Sequence, residues 1–196
     1  MFRYFIIYKP YQVLSQFSSE QDKNTLKDFF SVPPDVYSIG RLDFDSEGLL
    51  ILTNDKQLNY RLLNPLFNHE REYWVQVEGS VTANAVEQLE AGILINAGGK
   101  FYRTKKCRVV IFKEMVTVAE RNPPVRFRKM IPTSWIKLIL TEGKNRQVRK
   151  MTAAAGYPTL RLIRARIGRL TLQALQPGEM KELSKEEIYS LCLAEG

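Results

Sequence analysis

The stretch Gly40-Arg41-Leu42-Asp43-Phe44-Asp45-Ser46-Glu47-Gly48 sets three acids two residues apart. In an extended segment alternate side chains share a side. Asp43, Asp45 and Glu47 would then crowd and repel unless a turn or a cation separates them. Arg41 stands two residues before Asp43 and can lie beside it in the same geometry. Apolar, strand-like runs flank the acids at residues 36–42 and 49–52. The second, Leu49-Leu50-Ile51-Leu52, is apolar at every position, as in a strand covered on both faces. The expectation is a hairpin or tight connection with the acids at its mouth and Gly48 supplying an unusual backbone angle.

On the N-terminal side, residues 2–8 read as a buried strand closed by Lys9-Pro10, because proline keeps its predecessor extended. Residues 13–17 suit a short extended piece, and residues 25–30 a short helix capped by Asn24 or Thr25. On the C-terminal side, Thr53-Asn54-Asp55 caps a helix running to about residue 63. Tyr73, Val75 and Val77 then alternate with Trp74, Gln76 and Glu78, a strand pattern. Residues 82–91 make an amphipathic helix with Val86 and Leu89 inward, ended by Gly92. Short strands follow at residues 93–95, 101–103 and 108–112, the first two joined through Gly98-Gly99. Residues 121–134, with three prolines and four Lys or Arg, read as an irregular basic loop. A strand at 135–140 turns through Glu142-Gly143-Lys144-Asn145 into a helix over residues 146–155, with Val148, Met151 and Ala155 inward. Residues 160–167 are strand-like, and Ser184 with Glu187 forms a capping box for a last helix. Many short strands with four or five helices predict an α+β fold, a single domain over residues 1–196 with a mixed, largely antiparallel sheet.

Composition narrows the function classes. The 196 residues are 44% hydrophobic and 26% charged, as in soluble globular proteins. Cys107 and Cys192 lack metal or redox spacing and read as buried thiols in a reducing cytosol. The apolar run at the start is too short for a signal peptide or a membrane span. His69 is the only histidine, which argues against a zinc site or a Ser-His-Asp triad. Neither GxGxxG nor GxxxxGK[ST] occurs. The formal charge is +8, unevenly spread: residues 121–169 hold 13 Lys and Arg against one acid, Glu142, while the rest of the chain has 16 basic and 20 acidic residues. Such segregation suits a polyphosphate partner.

Three constellations carry chemistry. An Asp beside an arginine stays ionised at neutral pH, which suits Asp43, next to Arg41, as a nucleophile or base. Tyr73 reads equally as an aromatic that stacks on a base drawn out of an RNA stem or as a cross-strand core residue. The run from Glu142 to Lys150 gathers cations at a helix start, where free N–H groups favour anions. There Arg146 and Lys150 share a face, and Arg149 lies nearer the core side and needs a partner such as a carboxylate. On residue chemistry alone, glycosidic, phosphodiester and pure binding functions stay open.

Taken together, these motifs resemble the RsuA/RluB/RluE/RluF family of pseudouridine synthases. The resemblance is carried by Gly40-Arg41-Leu42-Asp43, by Asp45-Ser46-Glu47-Gly48-Leu49-Leu50-Ile51-Leu52-Thr53-Asn54, by Lys9-Pro10, by Tyr73, and by Glu142-Gly143-Lys144-Asn145-Arg146-Gln147-Val148-Arg149-Lys150-Met151. Arg121-Asn122-Pro123-Pro124, Ile131-Pro132-Thr133-Ser134-Trp135, Phe17, Thr25-Leu26-Lys27 and Pro158-Thr159-Leu160-Arg161-Leu162-Ile163-Arg164 are similar to the RluE branch. Arg71 departs from the family's usual lysine two before the tyrosine but keeps the charge. The resemblance implies the pseudouridine synthase fold, a mainly antiparallel sheet in two halves with the active-site cleft between them and no N-terminal S4-type domain. It implies isomerisation of uridine to pseudouridine in 23S ribosomal RNA without cofactor or metal. By the same carry-over Asp43 is the catalytic aspartate, attacking C1′ or removing the C2′ proton. Tyr73 packs on the target base and Arg149 pairs with Asp43. Arg41 supports the flipped-out nucleotide or the RNA backbone, and Lys144, Arg146, Lys150 and Lys9 hold RNA. The expected partner is ribosomal RNA, with no membrane and no small-molecule cofactor, for a cytoplasmic monomer. The alternatives are a 16S target, a non-catalytic assembly factor that binds rRNA, and a glycosidase using Asp43 and Glu47.

Overall fold

The chain opens with β1 (Tyr4–Lys9), buried along its whole length, and two-residue strands β2 (Val13–Leu14), β3 (Asn24–Thr25) and β4 (Tyr37–Ser38). β5 (Glu47–Thr53) leads into α1 (Lys56–Leu63), which Asp55 caps by accepting from the N–H groups of Gln57 and Leu58. Next come β6 (Arg71–Glu78), α2 (Ala83–Glu90), β7 (Leu94–Ala97), β8 (Lys100–Arg103), β9 (Arg108–Ile111), β10 (Thr133–Leu140) and α3 (Gln147–Ala154). β11 (Thr159–Ile167), β12 (Leu170–Thr171), β13 (Met180–Glu182) and α4 (Lys185–Leu193) complete the order. This computed structural model describes every residue except 127, 173 and 194–196. The fold is α+β and mostly antiparallel, and it divides into two compact units, residues 1–69 with 163–196, and residues 70–162.

In the first unit β5 is the central strand. It pairs antiparallel with β1, from Tyr4 opposite Thr53 to Lys9 opposite Gly48, and parallel with β11 at Glu47–Ile163 and Gly48–Arg164. β13 extends the far edge of β1, and β4 and β12 pair with β5 and β11. The reason for an unbroken apolar run is now visible. Leu49 and Ile51 pack into a cluster with Leu58, Ile188 and Cys192, and Leu50 and Leu52 into another with Phe5, Leu26 and Phe30. All four β5 side chains are fully buried, each contributing roughly 2 kcal/mol of hydrophobic stabilisation.

In the second unit β6 pairs with β10 over their full lengths, and β9 flanks β10. The first residues of β11 lie on the other side of β6, where the Glu78 N–H donates to Pro158 O at 2.9 Å. α2 and α3 cover one sheet face, burying Leu89, Val148 and Met151 against Val75, Val77 and Leu138. The sequence reading names no strand at β3, β12 or β13, and it differs from the structure at three further places. Residues 25–30 hold only a 3-10 turn, Leu26–Asp28, and the strand expected at 36–42 is regular only at β4. Helix α3 begins at Gln147, because Arg146 adopts a left-handed backbone with φ 53. Arg146 therefore precedes the helix instead of sharing a helical face with Lys150, although the Lys150 N–H still donates to its carbonyl at 3.0 Å.

Candidate active site

The acidic loop belongs to the first unit. Of its three carboxylates, Glu47 is the first residue of β5 and 1% exposed, whereas Asp43 and Asp45 are half-buried on the loop before it. Both devices that the spacing demands are present. The Ser46 N–H donates to Asp43 O at 3.0 Å, closing a turn. The cation is Lys9 at the end of β1, acted on by the carboxylates of Glu47, Asp45 and Asp43. Ser15 fixes the approach to Asp43 from the other side, its hydroxyl donating to Leu42 O at 2.8 Å and accepting from the Leu42 N–H at 3.0 Å. Arg164, 5% exposed, donates from Nε to Leu49 O at 2.8 Å and so pins β11 to β5 just past the loop. Arg41 is exposed on the loop itself.

Lys9 corrects an expectation. Read as an RNA contact, it has 0% exposure, and its ammonium donates to Pro10 O at 2.9 Å and Val13 O at 2.6 Å. A side chain so placed reaches no phosphate and lies instead under the influence of the acidic loop. Burial pushes it down to about 7 from the ordinary 10.5, against the pull of the three carboxylates and with a further push from Arg164. Its folded value is depressed, so the unfolded chain holds the proton over a range where the folded chain does not. The resulting cost is full below about pH 7 and fades as pH rises towards 10.5. The stability of the unmutated chain relative to Lys9→Met is therefore expected to rise by about 3–5 kcal/mol between pH 7 and pH 10. Paired urea melts at the two pH values check this, and an unchanged difference would refute it.

The basic turn belongs to the second unit. Glu142, the lone acid of the basic third, is 8% exposed and accepts from Tyr102 OH at 2.5 Å, the Lys105 N–H at 2.8 Å and Gln147 Nε2 at 2.7 Å. Gln147 in turn accepts from the Lys144 N–H at 2.8 Å. Residues 143–146 are thus held between two buried side chains, with Lys144 and Arg146 exposed and the Lys144 ammonium 4.9 Å from the Tyr102 ring centre. Lys150, half-buried, donates to Asn145 Oδ1 at 3.4 Å. Removing the Glu142 carboxylate strands three donors. Glu142→Ala is expected to cost about 3 kcal/mol in denaturant unfolding. A variant as stable as the unmutated chain would show that the turn does not depend on Glu142.

Tyr73 is half-buried in β6, opposite Leu138, and packs against the Val75, Val77 and Val148 cluster. Arg149 is half-buried on α3. Among the described residues, no group of three or more His, Cys, Asp or Glu is arranged to hold a metal ion. Sequence reasoning missed Ser15, for which a lone serine in an extended stretch gives no signal. It also missed the anchoring role of Glu142, although a single acid among 13 cations was the available clue.

A family model described as RNA pseudouridylate synthase matches residues 3–154. The ribosomal large subunit pseudouridine synthase E of Vibrio vulnificus (strain CMCP6) is 49% identical over 179 residues, covering 91% of this chain and 74% of that one. The ribosomal large subunit pseudouridine synthase B of Bacillus subtilis (strain 168) is 32% identical over 189 residues, covering 96% of this chain and 70% of its own length. A crystal structure of a pseudouridylate synthase superposes with a TM-score of 0.79 at 29% identity, over 97% of this chain and 74% of that one. The matched span takes in the acidic loop, Tyr73 and the whole run from Glu142 to Lys150. With sequence, fold and motif order in agreement, this chain belongs to the RNA pseudouridylate synthase family.

Proposed function

We propose that this protein isomerises uridine to pseudouridine in the RNA of the large ribosomal subunit. The carrying observation is its 49% identity, over 91% of its length, to a relative named for that subunit. Asp43 is the proposed catalytic carboxylate, and its setting supports the role. It sits half-buried on a loop held by Ser15, the Ser46 turn and the buried Lys9. A catalytic group held in one position by its neighbours does not need to be ordered during the reaction. The bond from C1′ to N1 breaks, the uracil turns, and C1′ joins C5, which gives up its proton while N1 regains one. Tyr73 is assigned to the target base and Arg149 to the charge of the catalytic carboxylate, both on their sequence context. Arg41, Lys144 and Arg146, all exposed, and Lys150 are assigned to the RNA backbone, an attraction that weakens steeply with salt. Among the described residues, no helix is long and apolar enough to cross a membrane. Work on ribosomal RNA puts the proposed site of action in the cytoplasm.

The test is tritium release from C5-labelled uridine in ribosomal RNA prepared without the modification. Release from large-subunit RNA, rising to one equivalent per RNA, is the expected result. Release from small-subunit RNA alone would move the target. Salt-sensitive binding with no release from either RNA would overturn the enzymatic reading.

A further inference from the structure

The described residues between β9 and β10 form a basic strap across the second unit. It leaves the sheet where the Phe112 N–H donates to Trp135 O at 3.0 Å. It is tied to β11 where Arg161 donates to Ala119 O at 2.8 Å and Arg121 to Leu160 O at 3.3 Å, and Arg121 also holds Pro123 O and Pro124 O. It returns to β6 where the Gly79 N–H donates to Pro132 O at 2.7 Å. β11 and β9 lie at opposite sides of β6 and β10, so the strap crosses the sheet. Arg161 neighbours the inward Leu162, so the face crossed is the one turned away from α2 and α3. That is the face of Trp74, Gln76 and Glu78, not that of Tyr73, Val75 and Val77.

Between strap and sheet is a cavity of about 380 Å³. Its sheet side offers the Gln76 amide and the Thr133 hydroxyl, and its strap side carries the apolar Ile131 with Arg126, Arg128 and Lys129. The one carboxylate in the lining, Glu78, is neutralised by Arg128 at 3.0 Å. Arg126 and Lys129 are exposed and add two positive charges at the rim. A slot of this size, with an apolar wall, an amide and a hydroxyl inside and cations outside, matches an unpaired nucleotide with its base in and its phosphate at the rim. A double-stranded backbone would use the rim alone and leave the slot empty.

We propose that this cavity binds an unpaired nucleotide of the RNA substrate other than the one modified, with Arg126 and Lys129 on its phosphates. The inference rests on the reading of the chain as a ribosomal RNA enzyme and adds a second place where that RNA is read.

Filter binding to an unmodified large-subunit RNA fragment, measured across a salt series, tests it with two kinds of change. Thr133→Trp fills the cavity without altering charge and is expected to weaken binding about tenfold with the salt slope unchanged. The double variant R126E/K129E is expected to weaken binding at least about tenfold and to reduce the slope of log K against log salt by about 1.4, at about 0.7 per phosphate contact on a single strand. The double variant K27E/K56E, on exposed surface of the first unit, makes the same change of four charges and controls for net charge. Circular dichroism melts establish that each variant is folded. If Thr133→Trp is folded and binds like the unmutated chain, the cavity has no occupant and the proposal falls, whatever the charge variant does. If the unmutated chain neither binds this RNA nor releases tritium, the underlying reading falls instead.

Discussion

Asp43→Ala is expected to bring tritium release from large-subunit RNA below detection, a loss on the order of 10⁴-fold or more, the scale seen when a nucleophile acting as part of a unit is removed. The loop itself should survive. Asp43 is half-exposed, and the part of it that holds the turn is its backbone carbonyl, which alanine also provides. Ser15 still bonds Leu42, and Glu47 and Asp45 still face Lys9. The variant should bind RNA with similar affinity, since the cations assigned to the backbone are untouched, and a thermal melt run alongside reports on its folding. Asp43→Asn separates charge from shape, and equal loss in both variants assigns the effect to the carboxylate. Undiminished release from either would remove Asp43 from the chemistry. Loss of release together with a collapsed melting temperature would assign it to folding instead.

What the sequence discloses of this site follows from the range of the interactions involved. β5 is readable because every residue from Leu49 to Leu52 is apolar, and the structure covers that strand on both faces. The capping of α1 by Asp55 and of α4 by Ser184 and Glu187 is readable because a cap is complete within four residues. Lys9 is not readable in this way. A lysine before a proline at a strand end looks like surface, and only the arrival of a loop from residues 43–47 turns it into a buried cation. Glu142 is an intermediate case. Its isolation among cations marks it as unusual, but its partners Tyr102, on β8, and Lys105, just after β8, stand 40 and 37 residues upstream. Arg146 shows the limit of periodicity. The spacing to Lys150 is helical, yet the turn between Glu142 and Gln147 requires a left-handed residue that a helical template does not foresee.

Gly48→Ala is expected to destabilise the protein by about 4 kcal/mol or more, enough to lower its melting temperature by roughly 10 °C. The sequence suggests only that this glycine supplies a backbone angle, and the structure shows a second and larger constraint. Gly48 has φ 110, and a Cβ there would stand 2.4 Å from Arg164 O and 2.7 Å from Arg164 N. Both atoms are backbone of β11, in the parallel pairing that joins it to β5, so no side chain can rotate away to make room. Opposite Gly48 on the other side is Lys9, whose buried ammonium depends on the same loop. β5 cannot retreat from β11 without being driven into β1 on its other side. Gly99→Ala supplies the control. It sits at φ 86 with nothing within 4 Å of the added Cβ, and it should cost only the about 1–2 kcal/mol of left-handed strain. Thermal melts of the two variants therefore separate close approach from backbone angle. If Gly48→Ala melts no lower than Gly99→Ala, the β5–β11 contact can open at little cost. If it melts far lower, the strand that carries Glu47 and follows Asp43 is held in place chiefly by the absence of one methyl group.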